Sequence, residues 1–96
     1  MKFSVYLIIT KRFEKYFSYV GYAKDIDKRI FLHNSSRGAK YTKGKEWHLA
    51  YKKTYSSKST AMKEEYKLKK NYILRNKIKN EYIKKNEKKY FYNPTF

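Results

Sequence analysis

The sequence has no cysteine and only 2 histidines in 96 residues. A disulfide framework and a cysteine zinc site are therefore excluded, and the imidazoles are too few to build a zinc site unaided. Any metal would need oxygen ligands. Long apolar runs are missing too. The longest, VYLII at residues 5–9, falls far short of the roughly 20 residues of a membrane helix, and no signal-peptide pattern with a small-residue cleavage site follows Met1. The expectation is a soluble, intracellular protein, in cytoplasm, nucleoid or nucleus, with no membrane partner. Acidic residues are scarce, 8 against 25 Lys and Arg, which gives a formal net charge of +17 and a pI near 10.0. Such an excess in a short chain reads as attraction to a polyanion, nucleic acid first. The codon preferences of an AT-rich genome contribute to the same enrichment, so composition alone does not decide.

What is present is one small domain's worth of chain, of a size that buries roughly 60 to 70% of its unfolded surface. It is rich in aromatics, with 12 Tyr, 6 Phe and 1 Trp, side chains that fill a core or stack on bases and leave phenolic groups for hydrogen bonds. Residues 3–10 (FSVYLIIT) are β-branched and aromatic with almost no polar interruption, as in a strand buried on both faces. A polar reversal over residues 11–15 leads to a second strand at 16–22 (YFSYVGY), so the two should form an antiparallel hairpin. Gly21 should end or bulge that strand, or let another group approach its backbone closely.

Asp25 is the N-cap expected for a helix over 26–34, anchored by Ile26 and Ile30 and stopped by the Ser35-Ser36-Arg37-Gly38 cluster. Residues 39–46 read as a basic loop and 47–55 as a third strand. Ser56, Ser57 and Ser59 are candidate caps for a helix from about 60 to 70, with Ala61, Met62, Tyr66 and Leu68 or Lys69 as its approximate apolar face. Residues 71–86 continue helix-like, with Ile73, Leu74, Ile78, Tyr82 and Ile83 spaced for one face. The final YFYNPTF, stopped by Pro94, would tuck back or stay disordered. These elements give an α/β (α+β) fold with a small three-stranded antiparallel sheet flanked by helices. We divide it into a core at 1–70 and a basic helical C-terminal extension at 71–96, packed on the core or trailing from it.

The chemistry concentrates in YVGYAKDIDKRIFLHN, residues 19–34. There Arg29 and His33 fall i,i+4 and put a permanent cation beside a titratable imidazole. An apolar helix face needs neither, so the segment reads as one wall of a phosphate site. The bland readings are a surface arginine and a histidine meeting the helix C-terminal carbonyls. Lys24, Arg37, Lys40, Tyr41, Lys43 and Lys45 are candidates for salt-sensitive contacts to a nucleic-acid backbone, and equally fit a solvated loop. His48 reads as structural.

Ser4-Val5-Tyr6, then Tyr19-Val20-Gly21, Arg29 and His33 on the next helix and a glutamate on a later one resemble the GIY-YIG nuclease domain. The segments HNSSRGAKYTKGK and STAMKEEYKLKK are similar to those of small stand-alone members of the YhbQ type. The resemblance covers residues 5–70 and implies a single-metal phosphodiester hydrolase. In it Glu65 would hold Mg²⁺ or Mn²⁺, with Glu64 the one-residue register alternative; Arg29 would hold the phosphate oxygens; Tyr6 would act as general base with Tyr19 beside it; and His33 would position the tyrosine or pass a proton. A phenol, with a reference pKa of about 10, needs positive charge nearby to act as a base at neutral pH. Two departures stand out. The first motif lacks its glycine, and Tyr22 occupies a position where repair-nuclease relatives often carry lysine, with Lys24 the candidate substitute.

The resulting expectation is a divalent-metal-dependent endonuclease or nickase in DNA repair, recombination or foreign-DNA processing. Its partner would be DNA, branched or single-stranded, and a homodimer would be needed to cut both strands together. The rival reading is a non-catalytic DNA- or RNA-binding protein that keeps the nuclease fold.

Overall fold

The computed structural model describes residues 2–86; the final YFYNPTF segment lies outside the described residues. The chain order is β1 (Phe3–Arg12), β2 (Lys15–Ala23), α1 (Ile26–Asn34), β3 (His48–Tyr55), α2 (Lys58–Lys70) and α3 (Tyr72–Asn86). The three strands form an antiparallel sheet in the order β2-β1-β3, so the most apolar strand is central. Every residue of β1 from Ser4 to Thr10 is buried, as its uninterrupted apolar run requires. Alternation then builds two cores. Val5, Leu7 and Ile9 face a layer made with Val20, Ala61 and Leu68. Tyr6 and Ile8 face the other way, toward Ala23, Trp47, Ile26 and Ile30.

The hairpin is tighter than a reversal over residues 11–15 suggests. Arg12 pairs with Lys15, and the turn is Phe13-Glu14 alone, both at positive φ (52° and 70°), as a two-residue type I′ turn requires. Neither residue type advertises that conformation, which Asn-Gly normally supplies.

Asp25 caps α1 by accepting from the Lys28 N–H at 3.1 Å. Among the serines before α2, Ser57 is the cap, accepting from the Thr60 N–H at 3.2 Å, and the helix accordingly starts at Lys58. Its expected apolar face needs correction: Ala61 and Leu68 are buried, whereas Met62 and Tyr66 are about half exposed. The inward stripe therefore runs i, i+3/i+4, i+7 through Ala61, Glu64, Glu65 and Leu68, and carries two carboxylates toward the sheet edges. In α3, Ile78, Tyr82 and Ile83 pack on the core. Ile73 and Leu74 do not; they are exposed, Ile73 at 81%, because they sit on the turn just past the break at Asn71, before the helix reaches the sheet.

Candidate active site

β2 is an edge strand, and α1 and α2 lie on opposite faces of the sheet beside it. Where the two layers meet at that edge a groove of about 550 Å³ opens, lined by Tyr19, Gly21 and Lys24 from β2 and the turn after it, Lys28 and Arg29 from α1, and Lys58 and Glu65 from α2. Tyr6 lies directly beneath. It pairs with Gly21 across the hairpin, and a Cβ built on Gly21 would overlap the Tyr6 hydroxyl and stand 2.6 Å from Cζ. Gly21 is thus a glycine of close approach, one of the two uses its sequence position suggested.

A buried chain of polar groups runs inward from Tyr6. The phenol is 2.7 Å from His33 Nε2, His33 Nδ1 is 2.8 Å from Thr42 Oγ1, and the Thr42 hydroxyl donates to the Ala39 carbonyl at 3.0 Å. Tyr6, His33 and Thr42 are all fully buried. Donor and acceptor counting orients this chain. Arg29, the other hydrogen-bond neighbour of the phenol, can only donate. A fully buried O–H must find an acceptor, and among the described residues His33 Nε2 is the one within reach of the Tyr6 hydroxyl. The phenol therefore donates to Nε2, Nδ1 carries the imidazole proton, Thr42 accepts it, and the threonine passes its own hydrogen to Ala39. Gly38 closes over the ring, where a Cβ would overlap Nδ1 and stand 2.7 Å from Cγ.

The same burial fixes the charge states. Desolvation pushes the Tyr6 phenol up to about 12, outweighing the Arg29 hydrogen bond and charge, which pull it down; Tyr19 and Glu65 add smaller upward contributions. Desolvation, and then Arg29, hold His33 below the usual imidazole range. The Tyr6–His33 pair is therefore neutral on both sides at physiological pH. Arg29 favours the ionised phenol, but burial outweighs it.

The five catalytic candidates come together. Tyr19 packs edge-on to His33 with centroids 5.1 Å apart, and Glu65, with its side chain 16% exposed, reaches the groove from the far layer while paired to Lys69 Nζ at 3.1 Å. Glu64 points elsewhere, toward Tyr51 and Tyr55, whose phenols burial and this carboxylate both push up. Of the basic candidates, Lys24 lines the groove. Tyr41 is 46% exposed and stacks on Tyr19 at 6.0 Å, while Lys45 is tied back to the Tyr41 carbonyl at 2.8 Å. Arg37, Lys40 and Lys43 are exposed on the loop and do not line the groove. His48 lies 3.9 Å from Glu46, away from the groove.

Sequence reasoning missed Lys28 and Lys58 in the groove wall, and missed the clamp that shapes residues 35–47. In that clamp Asn34 accepts from the Trp47 N–H at 2.6 Å and donates to its carbonyl at 3.2 Å, and the Trp47 indole donates to the Thr42 carbonyl at 3.0 Å. A buried Trp after a polar loop was the available signal.

Among the described residues no group of three or more His, Cys, Asp or Glu could hold a metal ion, and no helix is long and apolar enough to cross a membrane. A divalent cation fits only in the sparse manner of Mg²⁺, with one carboxylate and the rest of its shell from water and phosphate oxygens. Glu65 suits this, since its carboxylate already holds the Lys69 ammonium against it.

Comparison with known proteins adds the family. Residues 2–79 match the family described as GIY-YIG catalytic domain. A UPF0213 protein of Staphylococcus epidermidis is 47% identical over 62 residues, which are 64% of this chain and 74% of the relative. A UPF0213 protein of Staphylococcus saprophyticus is 52% identical over 52 residues, 53% of this chain and 63% of the relative. The solution NMR structure of the UPF0213 protein BH0048 from Bacillus halodurans is 38% identical and covers 72% of this chain and 71% of that one, with a TM-score of 0.39. With its sheet, its groove and a match over most of its length, the chain belongs to the GIY-YIG catalytic-domain family, whose fold is of nuclease type.

Proposed function

We propose that this protein is a divalent-metal-dependent endonuclease that nicks DNA, of the YhbQ type within its family, serving repair, recombination or the processing of foreign DNA. One observation carries the reading: Tyr19, Arg29 and Glu65, from three elements and both layers, line one groove walled by lysines, and the buried Tyr6–His33 pair lies against it through Gly21 and Tyr19. Arg29 would hold the non-bridging oxygens of the scissile phosphate with its planar fork, and its buried Nε has no acceptor among the described residues. Tyr6 would take a proton from the attacking water as it passes its own to His33 Nε2. The relay lets a phenol of high pKa act as a base without standing as a free phenolate. Glu65 would hold Mg²⁺ or Mn²⁺, which when bound supplies positive charge to the phosphate and the departing 3′ oxygen. Lys24, Lys28 and Lys58 would hold the flanking backbone.

Labelled single-stranded, duplex, flapped and branched DNA, and RNA, incubated with the protein in Mg²⁺, Mn²⁺ or EDTA, test this. Cleavage of DNA is expected with either metal and none in EDTA. Absence of cleavage under all conditions sinks the catalytic reading. Binding without cleavage is the outcome that the raised Tyr6 pKa would favour under the rival, non-catalytic reading.

The relay gives Thr42 a role that can be measured. Thr42→Val keeps the shape and removes the acceptor at Nδ1, freeing His33 to carry its proton on Nε2, where it can no longer receive one from Tyr6. Cleavage should fall about 10- to 100-fold, the equivalent of the roughly 1 to 3 kcal/mol lost with a buried hydrogen bond, and Thr42→Ser should restore most of it. Ring ¹⁵N shifts of His33 should report the Nδ1–H form in the wild type and a shift toward Nε2–H in Thr42→Val. An unchanged tautomer refutes the role.

A further inference from the structure

Beyond Tyr19 lies a second, smaller cavity of about 190 Å³, lined by Ser18, Tyr19, Val20, Lys69 and Arg75. No acidic side chain lines it. Among the described residues the buried side-chain donors without an acceptor are Arg29 Nε and Arg75 Nε, and each arginine lines one of the two cavities. Arg75 rests against the Tyr72 ring, its guanidinium carbon 5.6 Å from the centroid, a contact that supplies no lone pair in the guanidinium plane. A buried guanidinium edge left unpaired is costly, and the partner that matches its geometry is a carboxylate or phosphate. The two cavities are also neighbours. Tyr19 belongs to both, and Glu65 in the first is joined to Lys69 in the second by a 3.1 Å ion pair.

We infer that this cavity is a second phosphate subsite, which takes the phosphodiester next to the one held at Arg29 on the same nucleic-acid strand. Arg75 supplies the fork, its Nε being the buried donor without an acceptor, while Ser18 Oγ adds a neutral donor and Lys69 a second charge. The two subsites set a strand path along the edge of β2, past Tyr19. Calling the neighbouring phosphate the scissile one rests on the proposed function; the subsite itself does not.

The test is equilibrium binding in EDTA, where cleavage is not expected, by fluorescence anisotropy of a 5′-fluorescein 12-mer oligothymidylate across 50 to 300 mM KCl. The proteins are the wild type, Arg75→Gln, Ser18→Asp and, as an off-cavity control, Lys77→Gln. Losing one phosphate contact should weaken binding by about 10-fold and flatten the log–log salt slope by about 0.7, the value per phosphate for a single strand. Arg75→Gln should do this, Ser18→Asp should weaken binding at least as much, and Lys77→Gln should stay within about 2-fold of the wild type. Affinity and slope unchanged in both cavity variants, or no binding by the wild type at 50 mM salt, overturns the subsite. Repeating the set in Mg²⁺ separates the two readings. A changed slope with no cleavage by any protein keeps the subsite and sinks the nuclease, whereas cleavage by the wild type with unchanged slopes does the reverse.

Discussion

Arg29→Gln and Glu65→Gln are each expected to lower the cleavage rate at saturating DNA by about 10²- to 10³-fold, the range lost when one charge-stabilising group is removed from a transition state. The two losses should differ in kind. Arg29 contributes a planar pair of donors beside a buried phenol, so its removal should weaken DNA binding as well as slow the reaction, and Arg29→Lys should recover little because a point charge does not replace a fork. Glu65 repels the phosphate, so Glu65→Gln should leave binding in EDTA unchanged or slightly tighter and abolish the response to metal. Neither change should unfold the protein. Arg29 is only partly buried, and the Glu65–Lys69 pair has its lysine half exposed, the kind of ion pair that contributes about 1 kcal/mol or less. Thermal denaturation with single-turnover cleavage checks both points. Variants that fold normally and cut at the wild-type rate would remove these residues from the reaction.

What could be read from the sequence divides along physical lines. The central strand was legible because seven consecutive buried residues leave an unmistakable apolar run, and α1 because Asp25 and the Ile26–Ile30 spacing mark its start and anchored face. Arg29 and His33 were legible for the opposite reason, as polar groups with no evident packing use. The Phe13-Glu14 turn was not, since its positive φ values contradict local preference and are imposed by the pairing on either side. Nor was the true face of α2. Met62 and Tyr66 look like core residues, and only the placement of the helix across the sheet turns Ala61, Glu64, Glu65 and Leu68 inward instead. Thr42 was hidden most completely. A threonine in a loop of lysines reads as solvated until the backbone of residues 35–47 folds it under His33, and that fold depends on Asn34 and Trp47, which flank the loop and point to no particular chemistry by themselves.

The position of the groove explains why so small a chain needs both layers to build it. Tyr6 and Tyr19 face α1, and a carboxylate on that same face would stand beside the buried Tyr6–His33 pair with no solvent to stabilise its charge. Delivered from α2 around the edge of β2, Glu65 stays partly exposed and paired with Lys69, yet lies close enough to act on the Tyr6 phenol. An edge strand is otherwise a liability, with unpaired backbone groups open to another chain. Here the helices on its two faces and the lysines along its rim cover that edge and shape the groove.

Gly21→Ala should be strongly damaging for so small a substitution. The added methyl would overlap the Tyr6 hydroxyl and sit 2.6 Å from Cζ and 3.1 Å from Cε2, closer than the atoms can come. Three constraints prevent relief. Tyr6 and Gly21 are register partners in a hairpin whose other pairs bury Val5, Leu7 and Val20, so separating the strands would open the core. The Tyr6 ring is fully buried and held by His33 at 2.7 Å, so swinging it away breaks the polar chain and leaves His33 Nε2 unpaired. Removing the hydroxyl does not suffice either, because in the double variant with Tyr6→Phe the Cζ overlap remains. Overpacking typically costs 1 to 3 kcal/mol, and loss of a buried hydrogen bond adds about 1 to 3 more. The expected destabilisation is therefore about 2 to 6 kcal/mol, read as a shift of the urea midpoint at constant m, with cleavage undetectable even where the variant remains folded. Gly21→Ser should be no better. A Gly21→Ala protein of wild-type stability that still cut DNA would mean that Tyr6 does not lie against this strand, and the groove described here would not be the active site.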